Sequence, residues 1–155
     1  MHNLRIVSEP HAGPETISFV REAIARHNVA VTRDTYYSPL AILLKDVRDA
    51  ILGGAFGHVW GGWLDLSLLW VAEPVRGQGY GRKLLEAAEE EARAQGCRGV
   101  FLSTFSFQAR PFYEKFGYKV IGEIRDYPID HAFYFLKKTL EVPSRGSRCS
   151  SLHGV

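Results

Sequence analysis

Cysteine is nearly absent. The 155 residues include two, Cys97 and Cys149, with no metal-ligand spacing around them, which excludes a disulfide framework and a cysteine-built metal site. Reduced thiols and no bound metal are expected. An excess of charge of one sign is also missing: 19 Lys and Arg stand against 17 Asp and Glu, dispersed along the chain, for a net +2. No basic tract therefore marks a nucleic-acid or anionic-membrane surface. Glycine or charge interrupts every apolar run well short of the roughly 18 residues a membrane span needs, and residues 1–5 lack a secretory apolar region. The expectation is a cytosolic protein with neither nucleic acid nor membrane as partner.

Core-forming residues are plentiful. At 46% hydrophobic and 12% aromatic, the chain can bury one substantial core but is too short for two ordinary domains. One domain over residues 1–141 is expected. Beyond Glu141 the apolar period gives way to Pro, Ser, Gly and Arg, so residues 142–155 read as a disordered tail.

Periodicity gives an α/β order. Residues 4–7 read as a short strand, and Gly13-Pro14-Glu15 opens a helix to about His27, with Ile17, Val20 and Ile24 at helical spacing. Residues 29–38 have no clear period. Residues 40–46 and 50–60 read as a hairpin about a charged turn, and Gly61-Gly62 leads into a third strand over 63–71. The next helix puts Leu84, Leu85, Ala88 and Ala92 on one face and Glu89, Glu90 and Arg93 outside. Gly96 ends it. Residues 98–104 then read as a strand, 108–115 as a short helix, and 118–125 and 132–138 as the last strands.

The chemistry concentrates in residues 66–85, an apolar strand, a glycine-rich turn and an amphipathic helix. Gly77, Gly79 and Gly81 permit positive φ and close backbone approach, and a helix opening there aims unpaired N–H groups outward. Arg76 and Arg82 flank the turn, so the segment is suited to a pyrophosphate. A dinucleotide fingerprint fails, because Arg82 or Leu84 falls where its third glycine belongs. A P-loop fails because Leu84 follows Arg82 and Lys83 where Lys and then Ser or Thr are needed.

The pattern that fits is Arg-x-x-Gly-x-Gly, from Arg76 to Gly81, directly after a strand and at the start of a helix. Downstream, Ala109-Arg-Pro-Phe-Tyr-Glu-Lys-Phe-Gly-Tyr118 follows a β-rich run. Together these segments resemble the coenzyme A loop and the Ala-x-x-Phe-Tyr-x-x-x-Gly-Phe/Tyr segment of the GNAT superfamily, acyl-CoA-dependent N-acyltransferases. The similarity is specific over about residues 64–138 and loose before them.

The resemblance implies a mixed, mostly antiparallel sheet of six to seven strands with a central splayed parallel pair, flanked by about three to four helices. It implies acetyl-CoA as co-substrate: pantetheine against Leu69, Trp70 and Val71, and the pyrophosphate on Arg76, Gly77, Gln78, Gly79, Tyr80, Gly81 and Arg82. The family's Asn position carries Ser106, a departure at a cofactor contact. Tyr113 occupies the position of the acid that protonates the leaving thiolate. For the base, Asp65 stands first, with strand alternation grouping it with Ser67 and Leu69; Glu73, before Pro74, reads as a loop charge, and His58 and His131 are alternatives. A backbone N–H near Leu69 or Trp70 would meet the oxyanion.

The acceptor, a small-molecule or protein amine, would be shaped by residues 29–38 and 126–131, with Tyr36, Tyr37 and Tyr127 around it and Asp34, Asp126 or Asp130 meeting a cation. No large acidic cluster suits a polycation. A non-catalytic acyl-CoA-binding module and an unrelated nucleotide-binding protein stand as rival readings. Exposed strand edges leave a homodimer open.

Overall fold

The computed structural model describes residues 4–141, which fall into two compact units divided between Thr35 and Tyr36. The expected tail, with Cys149, lies outside the described residues. The first unit is a helix, α1 (Pro14–Thr32), with proline in its first turn. Arg33 ends it in the left-handed region, its N–H donating to the Val29 carbonyl at 2.8 Å. The helix thus takes in residues 29–32, where the sequence has no clear period. Residues 4–7 are not a strand: every ladder among the described residues joins strands of the second unit, and a short segment without a ladder partner has no reason to stay extended.

The second unit is a six-stranded sheet with two helices. It runs β1 (Tyr37–Lys45), β2 (Ile51–Trp60), β3 (Trp63–Val71), α2 (Tyr80–Ala94), β4 (Gly99–Phe105), α3 (Arg110–Lys115), β5 (Lys119–Arg125) and β6 (Ala132–Thr139), with a 3₁₀ turn at Glu73–Val75. The strand order is β1-β2-β3-β4-β6-β5. All neighbours are antiparallel except β3 and β4, which pair in parallel over only three positions, Trp63 with Gly99, Leu64 with Val100 and Asp65 with Phe101. Beyond Asp65 the two strands separate, β3 following β2 and β4 following β6.

A bulge in β3 decides what faces that opening. Gly57 of β2 pairs with Leu66 and Phe56 with Leu68, so Ser67 is the extra residue. Leu64 and Leu66 are buried in the core below the bulge, while Leu69 and Val71 pack against that core above it. Asp65 therefore shares the opposite face with Leu68 and Trp70, not with Leu69 as plain alternation predicts. The bulge depends on Gly57, where a Cβ would overlap the Asp65 carbonyl. Gly57→Ala is expected to destabilise the fold by about 2 kcal/mol; an unchanged thermal melt would contradict this packing.

The core forms where Leu84, Leu85, Ala88 and Ala92 of α2 meet Val59, Leu64, Val100, Leu102 and Leu136 of the sheet. Each large side chain so buried contributes about 1.5–3 kcal/mol. Glu89 departs from the expected pattern: it is buried with the apolar face, 3% exposed. Its carboxylate accepts from Lys138 Nζ at 2.7 and 2.8 Å, the Tyr118 hydroxyl at 3.1 Å and Arg93 at 3.2 Å. No helix among the described residues is long and apolar enough to cross a membrane.

Candidate active site

The separation of β3 and β4 opens a cleft of about 790 Å³. Leu66 through Val71 form one wall, Ser103 and Thr104 of β4 the other, and Phe107, Gln108, Phe112 and Tyr113 close it from the following turn and α3. Past Asp65, the backbone groups of β3 that point away from β2 have no strand to pair with on the β4 side among the described residues. Such an edge can take an extended, amide-bearing ligand as an added strand.

A second cleft of about 450 Å³ lies at the glycine turn and shares Val71, Arg76, Gly81 and Phe112 with the first. Gly77 (φ 74°) and Gly79 (φ 82°) hold the turn in the left-handed region, and Gly79 caps α2 without any side-chain hydrogen bond. The first-turn amides of α2 are thus left to whatever enters the cleft. Gly81 differs from these two, since its φ is not in the left-handed region and a Cβ there would make ordinary contact with the Phe112 ring at 3.5 Å. Arg76 donates through Nε to the Val71 carbonyl at 2.9 Å, and Gln78 to the Pro74 carbonyl at 3.3 Å. Arg82 pairs with Glu86 at 2.6 Å, but both side chains are more than half exposed, and such a pair yields readily to a stronger anion.

Tyr113 is 7% exposed, and burial pushes its phenol up to about 12. Its ring packs on Phe112 and Tyr118, and no hydrogen bond engages its hydroxyl among the described residues. A phenol so placed keeps its proton at neutral pH, and the residue lines the cleft. Asp65 lies just outside the wall, next to Leu66, on the face of Leu68 and Trp70. It accepts weakly from Ser67 Oγ at 3.4 Å and is paired across the ladder with His58, whose ring stacks on Tyr37 at 5.1 Å.

The other expected residues are dispersed. Ser106 is not in the cleft wall: its N–H donates to the Ala132 carbonyl at 2.7 Å, and its hydroxyl meets His131 Nδ1 at 3.3 Å and the Ala132 amide at 3.1 Å. Gln108 takes the wall position instead, accepting from the Phe105 amide at 3.0 Å. The structure does not bring Tyr36, Tyr37 and Tyr127 together. Tyr36 donates to Gln95 at the far end of α2 from the glycine turn, whereas Tyr127 joins Phe105 and Phe133. Asp126 and Asp130 hold positive φ in the β5–β6 turn, a conformation short polar side chains tolerate. Sequence reasoning missed Thr104, Phe107, Gln108 and Phe112 as wall residues. Their proximity to Tyr113 in the chain was the available signal.

The sequence profile of the acetyltransferase (GNAT) family matches residues 4–118. The chain belongs to the GNAT acetyltransferase family. It is 34% identical over 127 residues to the acetyltransferase Atu2258 of Agrobacterium fabrum, covering 82% of this chain and 93% of that protein. It is 42% identical over 94 residues to the blasticidin-S acetyltransferase of Streptomyces morookaense, covering 60% of this chain and 69% of the relative. An acetyltransferase structure from Bacillus cereus superposes with a TM-score of 0.79 at 30% identity, over 90% of this chain and all of that one. As in other GNAT acetyltransferases, the single parallel contact lies at the centre of a mixed sheet. The family draws its acetyl group from acetyl coenzyme A.

Proposed function

We propose that this GNAT acetyltransferase transfers the acetyl group of acetyl-CoA directly to a primary amine. The observation that carries the reading is a pair of adjoining clefts that share Val71, Arg76, Gly81 and Phe112, the first lined by the open β3 edge and Tyr113 and the second by the glycine turn at α2. Pantetheine lies along Leu69, Trp70 and Val71, and the pyrophosphate on Arg76 and the backbone of residues 77–82. The amine nitrogen attacks the thioester carbonyl carbon, forming the C–N bond, and a β3 backbone N–H meets the oxyanion. As the tetrahedral intermediate collapses, the C–S bond breaks and Tyr113 protonates the departing thiolate. Asp65, directly or through water, takes the excess proton from nitrogen, and solvent returns a proton to Tyr113. The products are an N-acetylated amine and free coenzyme A.

The family match running from residue 4 to 118 supports one transferase domain over residues 1–141, and the composition supports a cytosolic location. The test is thiol release from acetyl-CoA over a panel of primary amines, amino acids and lysine peptides. Amine-dependent release is expected. Tight acetyl-CoA binding with no release for any amine would replace the transferase with a binding module. Arg76→Ala is expected to raise the acetyl-CoA Kd about tenfold or more, the loss of one charge-assisted contact; an unchanged Kd by calorimetry would remove Arg76 from the phosphate site.

A further inference from the structure

Among the described residues lining the main cleft there is no carboxylate: Arg76 is the one charged side chain, and Tyr113 the one other titratable group. Its mouth is built of apolar and aromatic surface instead. The Ser67 bulge turns Leu68 and Trp70 outward, and they remain 63% and 53% exposed on the β3 wall. Across from that wall stands Phe107, in the turn after β4, 55% exposed.

Phe107 is held in place from two sides. Phe105 stacks on it with centroids 5.1 Å apart and planes 11° from parallel, and His131 meets it edge-on at 4.9 Å. His131 is itself within hydrogen-bond distance of Ser106 Oγ at 3.3 Å, and Phe105 is braced by Tyr127 at 5.6 Å and Phe133 at 4.6 Å. An orientation fixed by neighbours costs little to fix again on binding. Phe107, stacked by Phe105 yet with half its surface open, has room for a further ring, and offset stacking favours an aromatic ligand over an aliphatic one of equal size.

We infer that the acceptor is a primary amine carried by an aromatic or heteroaromatic ring, which extends the Phe105–Phe107 stack opposite Leu68 and Trp70. This rests on the transferase reading for the amine and on the cleft alone for the ring. An aliphatic polyamine finds no anion in the cleft wall, and a plain alkylamine loses the stacking.

The test compares binding of 2-phenylethylamine, 2-cyclohexylethylamine and spermidine to the full chain by calorimetry, with and without coenzyme A. Cyclohexyl and phenyl are nearly the same size, but cyclohexyl is the more hydrophobic, so a preference for phenyl reports stacking and not mere burial. Phenyl is expected to bind about fivefold more tightly than cyclohexyl, and spermidine most weakly. Phe107→Leu, which keeps an apolar wall without a ring, is expected to abolish the phenyl preference. Equal or reversed affinities in the unaltered protein, tightest binding by spermidine, or no binding by any of the three would overturn the inference. Thiol release separates the two claims: phenylethylamine that binds in preference, with no release for it or for any amine of the panel, defeats the transferase reading and leaves the ring site standing.

Discussion

Tyr113→Phe is expected to lower kcat about 100-fold, the usual contribution of one positioned general acid, while leaving the acetyl-CoA Kd unchanged. The substitution removes only an oxygen that no hydrogen bond engages among the described residues, and the ring contacts to Phe112 and Tyr118 persist. Its effect on stability is accordingly expected to stay within about 1 kcal/mol. The pH dependence follows from the raised phenol. An acid must hold its proton to act, and burial moves that loss to about pH 12. Over the range below about pH 11, the rate should rise as the amine, with a pKa near 10, sheds its proton, with no falling limb from Tyr113. A falling limb near pH 9 that disappears in the variant would show a phenol far more acidic than its burial dictates. Unchanged kcat would remove Tyr113 from the proton path.

Glu89→Ala is expected to cost about 3–5 kcal/mol, because it strands the Lys138 ammonium and the Tyr118 hydroxyl against the core without their shared acceptor. Burial and the neighbouring Glu89 charge both hold the Tyr118 phenol well above its ordinary range, so it remains a donor in need of a partner at any ordinary pH. For a chain of this length the loss corresponds to a melting temperature lower by roughly 10 °C or more. Removing both charges together, as Glu89→Leu with Lys138→Met, is expected to restore most of the stability, since the desolvation cost disappears with the pair. A loss below about 1 kcal/mol in Glu89→Ala would mean that the network carries no stabilising role.

The contrast between Glu89 and its helix neighbours marks what the sequence can disclose. Leu84, Leu85, Ala88 and Ala92 announce the buried face of α2 by spacing alone, and all four are buried. Glu89 falls beside that face, but the partner that permits its burial lies 49 residues away, and one-dimensional spacing carries no sign of it. The glycine turn was equally legible, because Arg76 to Gly81 follow β3 after one 3₁₀ turn and open α2. The bulge at Ser67 was not: alternation is a local pattern, and a bulge is a property of the pairing with Gly57. The expected strand at residues 4–7 failed for a related reason, since so short a segment extends only if an edge receives it. Tyr36, Tyr37 and Tyr127 share a residue type that suits an acceptor pocket, but topology sends them to three different places.

The occupancy of the opening between β3 and β4 is tested most directly by amide hydrogen exchange with and without saturating acetyl-CoA. A pantetheine arm pairing with the β3 edge and a pyrophosphate on the α2 amides should slow exchange in peptides covering residues 66–71 and 77–82. Exchange across β1, which borders neither cleft, should not change. Protection elsewhere, with residues 66–71 exchanging at their unliganded rate, would contradict the cleft as the coenzyme A site.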